Sequence, residues 1–208
     1  MLKPLQIGIT GGIGAGKSVI CKIFSVLGVP TYDADSRAKA VMTTDGILIE
    51  GIKKEFGTLS FKANGELNRE YLAAEVFNKP ERLKVLNALV HPRVAIDYEN
   101  WLAKQTSASY VLKEAALLIE SGSYKSLDKL MVVSAPEDLR IKRVLGRDKH
   151  RDVAQIKNII ENQLEEAAKL KVADFIINND DKHSLIQQVL TLHQQCLVLA
   201  KQKREANF

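Results

Sequence analysis

The chain has 208 residues, 46% of them hydrophobic and 26% charged, which excludes intrinsic disorder and allows one well-buried core with one or two inserted lobes. No apolar run approaches the roughly 20 residues of a membrane span, and Met1 to Thr10 lacks the long apolar core of a secretory signal, so a cytoplasmic protein with no membrane partner is expected. Acidic residues are interspersed throughout, so the net charge of +5 reflects small polyanionic ligands or plain solubility, and no nucleic-acid partner is expected.

Leu5 to Thr10 is a short β-prone run that stops at glycines, and Lys17 to Leu27 follows with apolar residues at helical spacing. That order predicts strand, loop, helix. A second strand, Val29 to Tyr32, ends at Asp33-Ala34-Asp35 and completes a βαβ unit, which implies parallel strands. Ser36 to Thr106 is mostly helical in pattern, interrupted at Gly57 to Asn68 and at His91-Pro92. Strand signals return at Tyr110 to Ala115, Lys129 to Ser134 and Asp174 to Asn178, and Asp181 to Gln202 closes the chain as a helix. The expected fold is α/β: a doubly wound, parallel, five-stranded sheet. Cys21 and Cys196 lie far apart with no Cys-x-x-Cys or Cys/His cluster, so neither a disulfide framework nor a zinc site is expected.

Gly11-Gly12-Ile13-Gly14-Ala15-Gly16-Lys17-Ser18 satisfies G-x-x-x-x-G-K-[ST] between a predicted strand and a predicted helix, the context that pattern requires. The glycines let successive backbone N–H groups face phosphate oxygens, and the helix adds its positive end. Lys17 would span the β- and γ-phosphates of ATP, and Ser18 would place its hydroxyl on Mg2+.

A phosphate loop alone fits a kinase, a switch or a motor. A guanine-specific switch needs Asn-Lys-x-Asp late in the chain, whereas the last strand ends Asn178-Asn179-Asp180-Asp181. Asp33 and Asp35 follow the second strand, at the sheet edge where open α/β folds bind ligands. Either one can take up an acceptor proton or cap the next helix; proton uptake is favoured for Asp33 and capping for Asp35. Arg69 and His91 lie in the helical lobe, as acceptor contacts or as structural residues. Arg143 and Arg147 stand four apart on one helix face, over the ATP phosphates or simply in solvent.

These segments, together with Leu67-Asn68-Arg69, His91-Pro92, Leu117-Leu118-Ile119-Glu120 and Ala173-Asp174, resemble the dephospho-coenzyme A kinases, a P-loop family similar to the nucleoside-monophosphate kinases, over nearly the whole chain. The resemblance implies three parts: an ATP-binding core (1–35, 107–139 and 172–208), an inserted helical acceptor-binding domain (36–106) and a small helical lid (140–171). It implies transfer of the ATP γ-phosphate to the ribose 3′-hydroxyl of dephospho-CoA, the last step of coenzyme A synthesis. A P-loop kinase for another nucleoside or nucleotide is the other reading. Catalysis would fall to Lys17 and Asp33. ATP would be bound by Gly12, Gly14, Ala15, Gly16, Lys17, Ser18 and Val19 with Arg143 and Arg147, and the acceptor by Asp33, Asp35, Arg69 and His91. Ser18 would ligate the Mg2+. Glu114, where the family commonly has an apolar stretch, would assist the metal or touch the acceptor. The oligomeric state is left open.

Overall fold

Alternating apolar residues at Leu5, Ile7 and Ile9 bury one face of the first strand almost completely, and each side chain so buried contributes about 1.5 to 3 kcal/mol. The computed structural model describes residues 3–77 and 79–206. In chain order the elements are β1 (Leu5–Thr10), α1 (Lys17–Val26), β2 (Thr31–Asp33), α2 (Ala34–Thr44), α3 (Gly46–Phe56), α4 (Arg69–Val76) and α5 (Pro80–Ala103). They continue with β3 (Tyr110–Glu114), β4 (Lys129–Ser134), α6 (Glu137–Arg147), α7 (Val153–Glu161), α8 (Glu166–Lys171), β5 (Phe175–Asn178) and α9 (Leu185–Glu205). Two compact units result, residues 1–33 with 105–208 and residues 34–104.

In the first unit the strands form one sheet in the order β2-β3-β1-β4-β5, parallel at every pairing. The chain leaves β1 for β2 on one side and leaves β3 for β4 on the other, so the carboxyl ends of β1 and β3 border the crevice where such sheets bind ligands. Helices α1 and α9 pack Phe24, Val189 and Cys196 against Ile7, Ile9 and Leu112. The fold class read from the sequence is the fold observed. The second strand is shorter than its apolar run because Pro30 has no N–H to give a ladder; its carbonyl still accepts from Leu112 N–H at 2.9 Å. Residues 140–171 fall within this unit, with Val144 and Ile156 fully buried.

The second unit is helical around its own core of Val41, Leu48, Ile52, Phe56, Leu67, Leu72 and Val90. Asp45 caps α3 by accepting from Leu48 N–H at 2.9 Å and binds Arg93 of α5, with Nη2 at 2.6 Å. His91-Pro92, expected to interrupt the helical pattern, instead lies inside α5, which runs unbroken from 80 to 103. A proline removes one helical hydrogen bond, and here Leu86, Leu89, Val90 and Val94 hold both sides of Pro92 on the core.

Candidate active site

The loop from Gly11 to Gly16 links the end of β1 to the start of α1 and is shaped by its neighbours as much as by its glycines. Gly14 and Gly16 have φ of +76° and +98°, a region that costs any L side chain about 1 kcal/mol or more. There is no room for one either. A Cβ on Gly14 would meet the main chain of Arg140, and a Cβ on Gly16 the amide of Asn179. Lys17 Nζ donates to Gly11 O at 3.0 Å, so its ammonium lies back over the loop. Ala15 is fully buried, Ser18 is exposed at the first turn of α1, and Val19 beside it is 52% exposed.

Next to the loop, at the carboxyl ends of β3 and β2, two carboxylates stand side by side. Ser18 Oγ donates to Glu114 Oε1 at 3.1 Å, and Glu114 is paired in register with Ile9 of β1 on one side and Asp33 of β2 on the other. Glu114 is 8% exposed. Asp33 is therefore two strands from the phosphate loop, on the same edge of the same sheet. Below them on α1, the Cys21 thiol is pushed far up by burial, and then by its charge interaction and hydrogen bond with Glu114; it stays a neutral thiol.

Arg143 donates from Nη1 to Asn179 O at 3.0 Å and from Nη2 to Asp181 Oδ1 at 2.6 Å. Asn179 itself is buried and donates from Nδ2 to Ala15 O at 2.7 Å. Arg143 is thus fixed beside the phosphate loop through the segment after β5. Arg147 is exposed in the last turn of α6. In the helical unit, Asp35 is exposed in the first turn of α2, where a carboxylate meets the positive end of the helix. His91 is exposed on α5. Arg69 opens α4 and lines a cavity of about 680 Å³ with Thr43, Lys62 and residues 64–68 and 70.

The dephospho-CoA kinase family profile matches residues 5–184. The chain belongs to the dephospho-CoA kinase family. It is 37% identical over 202 residues to the dephospho-CoA kinase of Mannheimia succiniciproducens, covering 95% of this chain and 94% of that one. The crystal structure of TT1252 from Thermus thermophilus matches with a TM-score of 0.83 and 31% identity, over 93% of this chain and 98% of that one. The dephospho-CoA kinase of Campylobacter jejuni matches with a TM-score of 0.66 and 28% identity, over 91% and 96%.

As a dephospho-CoA kinase the chain is an ATP-dependent phosphotransferase. Among the described residues no helix is long and apolar enough to cross a membrane, and no group of three or more His, Cys, Asp or Glu side chains forms a ready metal cage. A magnesium ion that takes most of its ligands from phosphates and water needs only one or two from the protein. The Ser18 hydroxyl and the Glu114 carboxylate, already 3.1 Å apart, are oxygen donors of that kind. Sequence reasoning missed three residues that shape this site: Asn179, Arg140 and Gln163. Each acts on the loop from more than 100 positions away, and nothing in their local sequence marks them.

Proposed function

We propose that the chain phosphorylates the ribose 3′-hydroxyl of dephospho-CoA with ATP, and that Asp33 is the group that orients this hydroxyl and takes its proton. Adjacency on one sheet edge carries the reading: a phosphate loop after β1, a buried carboxylate bonded to its serine, and Asp33 in register with that carboxylate. Lys17 leaves its loop carbonyls to bridge the β- and γ-phosphates, compensating charge as the phosphoryl group passes between oxygens. The backbone from Gly12 to Ser18 cradles the polyphosphate, with Val19 flanking it and Arg143 and Arg147 of α6 as further cations toward ATP.

Magnesium, when bound, would be held by Ser18 and Glu114 and would neutralise phosphate charge. Glu114 also holds the Ser18 hydroxyl in place. Asp33, one strand further out, is left for the acceptor. This divides the two carboxylates between metal and hydroxyl. In the helical unit, the cavity beside Arg69 suits an anionic part of the acceptor, because a guanidinium presents a planar fork to phosphate; Asp35 and His91, which do not line that cavity, would meet hydroxyl or amide groups of the acceptor.

Mass detection of CoA and ADP from dephospho-CoA and ATP, run beside nucleosides and nucleoside monophosphates, tests the acceptor. Product with dephospho-CoA alone is expected. Turnover restricted to a nucleoside monophosphate would contradict it.

A further inference from the structure

Both polar main-chain groups of one phosphate-loop residue, Ile13, are held by side chains from distant parts of the chain. Its N–H donates to Gln163 Oε1 at 3.0 Å, from the turn between α7 and α8. Its carbonyl accepts from Arg140 Nε at 3.0 Å, from α6. The two bonds hold the two successive peptide groups on either side of Ile13, so neither can rotate without losing its partner, and the amides that follow in the loop inherit that orientation.

Arg140 is buried more deeply than such a contact alone requires. It is 5% exposed, and its guanidinium fills the space a side chain on Gly12 would need. Nη1 lies 3.5 Å from Glu166 Oε2, and beyond it Lys169, 1% exposed, lies 3.7 Å from Glu120. Two buried cations and two partly exposed carboxylates thus form one charged group beside the loop. Among the described residues, Arg140 Nη2 and Glu166 Oε1 are buried without a hydrogen-bond partner. Such a group is a poor device for stability, since apolar residues of similar volume commonly do as well or better. A guanidinium fixed under a loop that must receive a polyanion is a different matter. Its charge is matched by Glu166, so what it supplies is placement: it holds the loop carbonyl in position, and this costs no reorganisation when the nucleotide arrives.

We infer that Arg140 and Gln163 are positioning residues for ATP, acting through the two peptide groups that flank Ile13 rather than by touching the nucleotide, and that Glu166 holds Arg140 in register. This rests on the reading of Gly11 to Ser18 as the ATP phosphate loop, but not on the identity of the acceptor. Helices α6 to α8 then do more than cover a site: they set the shape of the loop.

The test is calorimetric titration of a non-hydrolysable ATP analogue into wild type, Gln163→Leu, Arg140→Met and Arg140→Lys, with thermal melts of each and amide exchange at Ile13. Analogue affinity is expected to fall about tenfold in Gln163→Leu and more in Arg140→Met, with partial recovery in Arg140→Lys. Exchange at Ile13 should accelerate in Gln163→Leu while its melting temperature holds. Should Arg140→Met fail to fold, the half-buried Gln163 site still decides the matter alone. Wild-type analogue affinity in folded Gln163→Leu, with Ile13 exchange unchanged, would overturn the inference. Because binding is read without an acceptor, failure of dephospho-CoA as substrate leaves this result separate.

Discussion

Ser18, in the first turn of α1, and Glu114, at the carboxyl end of β3, are joined by a 3.1 Å hydrogen bond from hydroxyl to carboxylate. A serine that a phosphate loop assigns to a metal is thereby tied to a buried negative charge whose β2 neighbour is Asp33. Glu114→Gln keeps an acceptor for the hydroxyl and removes the charge. The magnesium concentration giving half-maximal activity is expected to rise about tenfold, the loss of one charged ligand interaction of about 1.5 kcal/mol. A magnesium titration at fixed ATP measures it, and an unchanged midpoint would remove Glu114 from the metal's surroundings.

Asn179 supports the loop from the opposite side, through its 2.7 Å bond to Ala15 O. Asn179→Ala leaves that carbonyl unpaired in a buried place, at a cost of about 1 to 3 kcal/mol, and takes from Arg143 the contact its Nη2 makes to the Asn179 side chain, while the bond to the main-chain carbonyl stays. The KM for ATP should rise about tenfold or more, with the KM for dephospho-CoA unchanged. Steady-state kinetics with each substrate varied in turn distinguishes this from a general loss of folded protein.

In the helical unit, Asp45 joins the cap of α3 to Arg93 of α5, and the Arg93 hydrogen bond followed by that from Leu48 N–H holds its carboxyl below the ordinary value of 3.8. A depressed carboxylate stabilises the fold above its unfolded pKa, and that contribution is lost as pH falls through its folded value. Asp45→Ala should cost about 1 kcal/mol or more at neutral pH. Melting curves should show the gap between variant and wild type closing below pH 3.8. A gap that persisted undiminished in acid would show that the charge does not matter.

Lys169 gives the same sign in the alkaline range for the opposite reason, since here the charged form is the one disfavoured by folding. Burial lowers its pKa from 10.5, with Glu120 and then Glu166 working against that and Arg140 adding to it. Just below pH 10.5 the unfolded chain therefore binds more protons at this residue than the folded one, and stability at this site rises with pH there. Wild type should gain on Lys169→Met as pH approaches 10.5, read from paired denaturant melts. A widening deficit for wild type would mean the ammonium is stabilised where it sits.

Much of this was legible in the chain itself, for reasons that differ by residue. β1 and β4 run over the residues their apolar patterns mark, and the glycine spacing of Gly11 to Ser18 names its own ligand because few other functions need that backbone. His91-Pro92 misled because proline's local penalty was visible and the packing that overrides it was not. Glu114 is a departure with two open roles in the sequence, and its place between Ile9 and Asp33 follows only from strand register, which the chain does not show locally. Arg140 and Gln163 were hidden within a charged helical stretch that reads as a surface, since burial of a charge depends on a partner far along the chain.

The central claim is that Asp33, across the sheet edge from the phosphate loop, takes the proton of the acceptor hydroxyl. Asp33→Asn preserves size and removes the base. With dephospho-CoA and saturating ATP, kcat should fall about a hundredfold or more, while ATP affinity measured by calorimetry stays within about twofold, the small change expected of a residue that interacts with the reacting hydroxyl rather than with the nucleotide. A kcat close to wild type in the folded variant would contradict the account.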